Sequence, residues 1–355
     1  MTAVNAVNRQ MTLRRYPDGM PRDEDFVVID STIPDIAEGE VLCRAIYLTV
    51  DPYIRVHISP SMSVGYAPTT PLGAPIPGEA VLRVVRSRHA KFREGDYVAG
   101  FGGWQDYCAL AGDSLRAVDR SLAPLSAHLG SLGMPGLTAY VGMKKLADAK
   151  AGETVFVSAA LGGVGAVAGQ LAKLQGCRAV GVSSSPDKCR FAVDELGYDA
   201  CLDRTAPDFL DQIAATCPDG IDVDFENAGG AVFWGALQNM KAYGRMIVCG
   251  LVSGYNHDEP PPGPDLSANL LRTIALKRLV MKGLMVADYW DLRPTFLQEV
   301  GGMIRDGRFK SKEYVVDGIE NAGRAMIDML EGRNFGKTVV RIADDTPDLG
   351  PSATT

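Results

Sequence analysis

Two patterns of apolar and polar positions divide the chain. From about residue 25 to 118 the apolar positions come in short β-type runs, such as 40–47 (EVLCRAIY) and 79–85 (EAVLRVV), separated by Gly and Pro. That pattern predicts an irregular, barrel-like β domain. From about Thr138 strand-like and helix-like stretches alternate. Strands fall at 154–158, 178–182, 200–202, 221–227, 245–249 and 279–284, and helices open at Pro186, Pro207 and Val232 among others. Strands with intervening helices in this order predict an α/β fold with a doubly wound parallel sheet. Two later strand-like runs, 313–316 and 337–342, are placed back with the first domain, and residues 344–355 read as a polar tail. No internal repeat is visible.

The run at 154–165, TVFVSAALGGVG, carries the first chemistry. Residues 154–158 are uncharged and β-branched, as expected for a strand covered on both faces. Gly162, Gly163, Val164 and Gly165 then open a helix. Glycine suits such a turn because a Cβ blocks close approach to a pyrophosphate and the packing of helix on strand, while the helix N-terminus offers N–H donors to the anion. Ala160 stands where the usual pattern has its first glycine.

The end of the second strand decides between dinucleotides. A site that prefers NAD places Asp or Glu about twenty residues beyond the turn, to hold the ribose 2′-OH. This chain has Ser183, Ser184 and Ser185 there, followed by Lys188. Hydroxyls and a cation suit a 2′-phosphate, which predicts NADPH. Asp187 runs against that reading unless it faces solvent in the first turn of a helix capped by Ser185, with Pro186 at the first helical position. Lys188 has two readings: a phosphate ligand or a residue on a solvated helix face.

Composition narrows the class. The chain has 355 residues and a formal net charge of −7, which excludes a basic nucleic-acid surface. No run of about 18 apolar residues is present to cross a membrane, and the N-terminal residues have no apolar stretch of the signal-peptide kind, so the expected compartment is the cytoplasm. Seven cysteines are scattered along the chain, unlike a disulfide framework. No CxxC motif occurs, and His57, His89, His128 and His257 form no short-spaced pair, so no metal is expected.

Two loops bear candidate reactive groups. Residues 249–256 (CGLVSGYN) follow the fifth strand of the parallel sheet, where ligands lie outside the carboxyl ends of strands, so Tyr255 can reach a bound nicotinamide. An ordinary loop tyrosine is the alternative. Residues 50–55 (VDPYIR) form a turn at the end of a strand in the first domain. Tyr53 there is a core aromatic or a pocket residue, and Asp51 and Arg55 make an ion pair or serve catalysis.

The chain resembles the zinc-independent branch of the medium-chain dehydrogenase/reductases, specifically the group of prostaglandin reductases, leukotriene hydroxydehydrogenases, plant double-bond reductases and curcumin reductases. The resemblance rests on 15–21 (RYPDGMP), 50–55, 132–140 (LGMPGLTAY), the turn at 159–165, 224–230 (DFENAGG), 249–256 and 334–337 (NFGK), which occur in family order. It implies a GroES-like substrate domain (1–130 and 308–345), an NADPH-binding Rossmann domain (131–307) and a tail (346–355). It also implies a homodimer. Met134 and Thr138 would then line the cofactor, with Gly162 to Gly165 at the pyrophosphate and Ser184 with Lys188 at the 2′-phosphate. Asn227, Cys249 and Gly250 would lie along the ribose and nicotinamide, Asn334 would reach back from the closing segment, Tyr255 would be catalytic, and Tyr53 would bind substrate.

Two departures matter. Arg204 stands where relatives have a tyrosine that binds the 2′-phosphate, and 77–80 (PGEA) replaces a glycine-rich or tyrosine-containing pocket stretch. The resemblance implies hydride transfer to the β-carbon of an enone or enal, with Tyr255 stabilising the developing enolate and the α-carbon proton coming from Tyr255 or water. The alternatives are a zinc-free quinone reductase or alcohol dehydrogenase, or a non-catalytic NADPH-binding protein.

Overall fold

The computed structural model describes residues 7–62, 68–257 and 265–344. The proposed tail at 346–355 lies outside them. The chain divides into two compact units, one formed by residues up to 129 with 315–331 and the residues from 338, the other by 130–314 with 332–337.

The first unit is rich in strands. β1 (Val7–Leu13) pairs antiparallel with β2 (Phe26–Thr32). The long strand β3 (Glu40–Thr49) is followed by the short helix α1 (Tyr53–His57), then β4 (Ala80–Ser87), β5 (Tyr97–Gly100), β6 (Tyr107–Ala111) and β7 (Arg116–Ala117). β3 is the organising strand, with β4 and β6 both paired to it antiparallel. Its end is tied to the core by Trp104, whose fully buried indole Nε1 donates to the Thr49 carbonyl at 2.9 Å. The turn expected at 50–55 is instead the start of a helix. Pro52 stands before α1 with helical angles, and Ile54, Arg55 and Val56 are buried. The Arg55 guanidinium donates to the Gly19 carbonyl at 2.7 Å, while Asp51 accepts from the Thr49 hydroxyl at 2.5 Å.

The second unit begins with α2 (Met134–Val141) and then alternates as the apolar pattern predicts: β8 (Thr154–Val157), α3 (Gly165–Leu174), β9 (Arg178–Ser183), α4 (Pro186–Asp194), β10 (Ala200–Asp203), α5 (Phe209–Thr216), β11 (Ile221–Glu226), α6 (Gly230–Asn239), β12 (Met240–Val248), α7 (Ser267–Lys277), β13 (Val280–Gly283) and α8 (Arg293–Arg305). Among the described residues the sheet is six-stranded and parallel, in the order β10-β9-β8-β11-β12-β13. The chain builds outward from β8 to one side, then crosses back to build from β11 to the other. The crevice above the β8–β11 junction is therefore the topological switch point, where ligands bind in open α/β sheets. Every residue of β8 is buried, which explains its uncharged, β-branched sequence.

β12 starts five residues earlier than the sequence suggests. Its pairing with β11 shifts register between Ile221 and Val223, and Tyr243 takes a left-handed φ of 64° within the added stretch. The polar KAYG run conceals a bulged strand. After α8 come β14 (Glu313–Asp317), α9 (Ala322–Leu330) and β15 (Lys337–Arg341). β15 joins β3 in the first unit's seven-stranded sheet, and β14 lies beyond it.

Helix α3 is fixed against the sheet by Tyr198, whose buried hydroxyl donates to the Gly165 carbonyl at 2.7 Å. The ring covers Gly169, where a Cβ would lie 2.0 Å from Tyr198 Cζ. Gly169→Ala is expected to destabilise the protein by about 1–3 kcal/mol through overpacking, seen as a lower midpoint in urea or thermal unfolding. An unchanged midpoint would show that Tyr198 yields at no cost.

Candidate nucleotide and catalytic site

The turn after β8 is built on close backbone approach. Ala159 adopts a left-handed φ of 53°, and the Gly162 N–H donates to its carbonyl at 2.8 Å. At Gly165 a Cβ would come within 2.2 Å of that same carbonyl oxygen, so no other residue lets α3 start so near the strand. Gly163 has a different reason. Its Cβ would press on Lys337 Cδ at 2.8 Å and Pro135 Cβ at 3.2 Å. Ala160 is tolerated because glycine faces it from the next strand: a Cβ on Gly181 would stand 2.7 Å from the Ala160 methyl.

At the end of β9, Ser185 caps α4, its side chain accepting from the Lys188 backbone N–H at 3.4 Å. Asp187 is exposed and paired with Arg190 on the same helix. Lys188 is only 8 % exposed, so it does not lie on a solvated face. Its ammonium donates to Ser184 Oγ at 2.9 Å and to the Gly332 carbonyl at 2.6 Å, and both acceptors are neutral. Arg204 stands close by: a Cβ on Gly332 would lie 3.8 Å from Arg204 Nη2 and 3.2 Å from Ser184 Oγ. Burial first, and then the Arg204 charge, push the Lys188 pKa below the ordinary lysine value. Desolvation and a neighbouring cation both disfavour the ammonium, and an anion placed between the two cations relieves the second effect. Gly332, which contributes through its carbonyl, has no side-chain signal by which the sequence could reveal it.

The carboxyl ends of β11 and β12 bring a further group together. Asn227 donates from its backbone N–H to Ser158 Oγ at 2.6 Å and from Nδ2 to the Ser158 carbonyl at 2.8 Å. The Cys249 and Gly250 N–H groups both donate to the Glu226 carbonyl, at 2.9 and 3.1 Å. Cys249 is a thiol whose pKa is raised to about 12, first by burial and then by the Glu226 charge, so it stays protonated. Tyr255 follows a short 3-10 turn, Val252–Gly254, and is half-buried, with its hydroxyl oxygen 3.4 Å from where a Gly250 Cβ would be.

Sequence reasoning passed over Glu226. It is 2 % exposed at the end of the central strand β11, and its Oε1 accepts from Ser158 Oγ at 3.0 Å, from the Gly229 N–H at 2.8 Å and from the Ala228 N–H. Burial raises its pKa, and these donors oppose the rise. Asp224, on the same face of the strand, is fully buried, with neither carboxyl oxygen hydrogen-bonded among the described residues. Burial, then the Glu226 charge, raise its pKa well above the carboxylate range. An acidic residue closing an otherwise buried strand was the available signal.

The other expected residues are dispersed. Met134 opens α2, and the Thr138 hydroxyl is turned back onto the Met134 carbonyl at 2.8 Å. Asn334 Nδ2 donates to the Gly336 carbonyl at 2.8 Å. Tyr53 belongs to the first unit, where it packs on the core and meets His57 edge-on at 5.6 Å. Among the described residues, no three or more His, Cys, Asp or Glu side chains gather where they could hold a metal ion.

Comparison with known proteins places the chain. Residues 9–118 match the N-terminal domain of oxidoreductase family, and 163–300 match the zinc-binding dehydrogenase family. The chain is 43 % identical to the NADPH-dependent curcumin reductase of Escherichia coli, over 95 % of this chain and 98 % of that one. It is 37 % identical to an NADP(+)-dependent 2-alkenal reductase of Nicotiana tabacum, over 95 % and 98 %. Among solved structures, CurA from Vibrio vulnificus in complex with NADPH superposes with a TM-score of 0.89 at 39 % identity, covering 95 % of this chain and 99 % of that one. The chain belongs to the zinc-independent medium-chain dehydrogenase/reductase family, in the group of curcumin, 2-alkenal and prostaglandin reductases.

Proposed function

We propose that this protein is an NADPH-dependent oxidoreductase that reduces the C=C bond of α,β-unsaturated ketones and aldehydes. The observation that carries this reading is the likeness, over nearly the whole of both chains, to reductases named for curcumin and for 2-alkenals. In this reading the second unit is the cofactor domain, the first is the substrate domain, and Tyr53 is assigned to substrate binding.

The residues fit the cofactor. The glycine turn leaves no room for a Cβ at Gly165, Gly162 to Gly165 are assigned to the pyrophosphate at the start of α3, and Lys188, Ser184 and Arg204 form a donor set suited to a 2′-phosphate. Met134, Thr138, Asn227, Cys249, Gly250 and Asn334 are assigned to the remaining length of the cofactor. Bound NADPH supplies a hydride to the β-carbon of the enone. Negative charge then builds on the carbonyl oxygen, and the Tyr255 hydroxyl, as a hydrogen-bond donor, lowers the energy of that enolate. Protonation at the α-carbon completes the reduction.

No described helix is long and apolar enough to cross a membrane. The free cysteines suit a reducing compartment, which supports a cytoplasmic enzyme. The homodimer reading is supported by β13, an edge strand with Val280 exposed, and by Leu271 and Leu276 exposed on the neighbouring α7. Light scattering should give twice the chain mass for the parent and a shift toward one chain mass for Val280→Lys. A monomeric parent at micromolar concentration would overturn the dimer.

Activity on a panel of enones and enals, followed by loss of NADPH absorbance, tests the function directly. Turnover confined to quinones or alcohols would replace the proposed acceptor. Lys188→Ala is expected to raise the KM for NADPH by about ten-fold to over a hundred-fold, the loss of one charge-assisted hydrogen bond worth roughly 1.5–3 kcal/mol, and to leave NADH nearly unaffected. Equal use of both cofactors by the parent would contradict the phosphate site.

Tyr255→Phe keeps the ring and removes the donor. Its kcat should fall by about a hundred- to a thousand-fold while NADPH affinity is retained, because a donor aimed at the developing charge is worth about 2.7–4 kcal/mol. A kcat within two-fold of the parent, with hydride transfer rate-limiting, would remove the tyrosine from the chemistry.

A further inference from the structure

We propose that Glu226 is a positioning residue for the reduction: its carboxylate fastens the end of β8 to the backbone on which the Tyr255 loop rests, and so sets where the tyrosine hydroxyl stands. The proposal rests on the enone-reductase reading above for its catalytic consequence, though not for the contacts themselves.

Those contacts form a continuous chain. Oε1 of Glu226 accepts from the Ser158 hydroxyl beyond β8 and from the Ala228 and Gly229 N–H groups beyond β11. Held in this way, the Asn227 and Ala228 carbonyls present themselves to the next loop, where Val252 N–H donates to Asn227 at 3.2 Å and Ser253 N–H to Ala228 at 2.9 Å. Gly229 has a φ of 77°, and a Cβ there would lie 2.9 Å from Ser253 Oγ, so the two loops are packed as well as hydrogen-bonded. The main-chain carbonyl of Glu226 fastens the near end of the same loop by accepting from the Cys249 and Gly250 N–H groups. Gly250 in turn borders the Tyr255 hydroxyl. One residue thus ties β8, the β11–α6 loop and the segment leading to Tyr255.

A carboxyl group in this place is otherwise hard to account for. Burying a carboxylate is costly unless donors surround it, and an apolar side chain would close a buried strand at lower cost. Three donors converge on Oε1, whereas Oε2 is buried with no hydrogen-bond partner among the described residues. Asp224, two residues back, takes no part in the clamp. The arrangement asks one thing of residue 226, an acceptor at the Oε1 position, and glutamine can supply that as an uncharged acceptor.

The test uses the full chain and three variants. Glu226→Ala should lower kcat by about ten- to a hundred-fold and raise the KM for NADPH as well, since the loops it holds carry Asn227 and Gly250 in addition to Tyr255. Glu226→Gln should restore most of that loss. In the Tyr255→Phe background, Glu226→Ala should cost less than about two-fold, because two residues acting through one hydroxyl are not additive. Independently of any substrate, hydrogen exchange in peptides covering 227–229 and 250–255 should speed up in Glu226→Ala and stay near the parent in Glu226→Gln. Additive losses in the double variant, or exchange in those peptides that is unchanged by Glu226→Ala, would overturn the proposal. If Glu226→Ala does not fold, Glu226→Gln decides: exchange faster than the parent's, with a kcat loss as large as that of Tyr255→Phe, would show that an acceptor alone is not what the position requires. A parent that reduces no enone would overturn the functional reading and leave the clamp to be judged by exchange alone.

Discussion

The second unit depends on one close approach, that of Gly165 to the Ala159 carbonyl. The 2.2 Å that a Cβ would leave is not a tolerable contact, so α3 can begin directly above β8 only with glycine at that position. With the helix so placed, its N-terminus follows directly on β8, and the strand order makes the β8–β11 junction the switch point of the sheet. The Tyr198 hydroxyl then holds the Gly165 carbonyl from behind, which keeps the helix at this distance from the sheet.

Around this fixed turn the polar groups divide into two sets with opposite electrostatics. At the end of β9 the set is cationic: Lys188, stripped of much of its hydration by burial, lies beside Arg204 with a neutral hydroxyl and a neutral carbonyl as acceptors. At the ends of β11 and β12 the set is acidic and buried. Glu226 is satisfied on one oxygen, burial and then the Glu226 charge raise the Asp224 pKa well above its ordinary value, and burial keeps Cys249 a thiol. The sheet edge thus presents a cationic end and a buried acidic end on the two sides of the turn.

Much of this was legible in the sequence because the signals are local. The uncharged TVFV run, the glycines after it and the Ser185-Pro186 start of α4 each act within a few residues, and the structure has them where the pattern predicts. What escaped is non-local or has no side-chain signature. β1 alternates too weakly to be read as a strand and gains its identity by pairing with β2. The five residues of α1 are too few for helical periodicity, and the bulge in β12 breaks the period of a strand. The Gly332 carbonyl at Lys188 and the loop contacts of Glu226 depend on segments far apart in the chain, one of them 144 residues away.

The alanine at position 160 shows how such a turn can change without being lost. Its methyl occupies space that Gly181 leaves open on the neighbouring strand, so the volume is balanced across β8 and β9 rather than within the turn. The two positions are therefore constrained jointly. An enlargement at 181 meets the methyl at 160 at 2.7 Å and the Tyr198 ring at 3.1 Å, so losing the methyl is a precondition for it and the ring must yield as well. Divergence at this turn must then proceed in a set order, and a search that demands glycine at the first position will pass over chains that have already exchanged it for one on the adjacent strand.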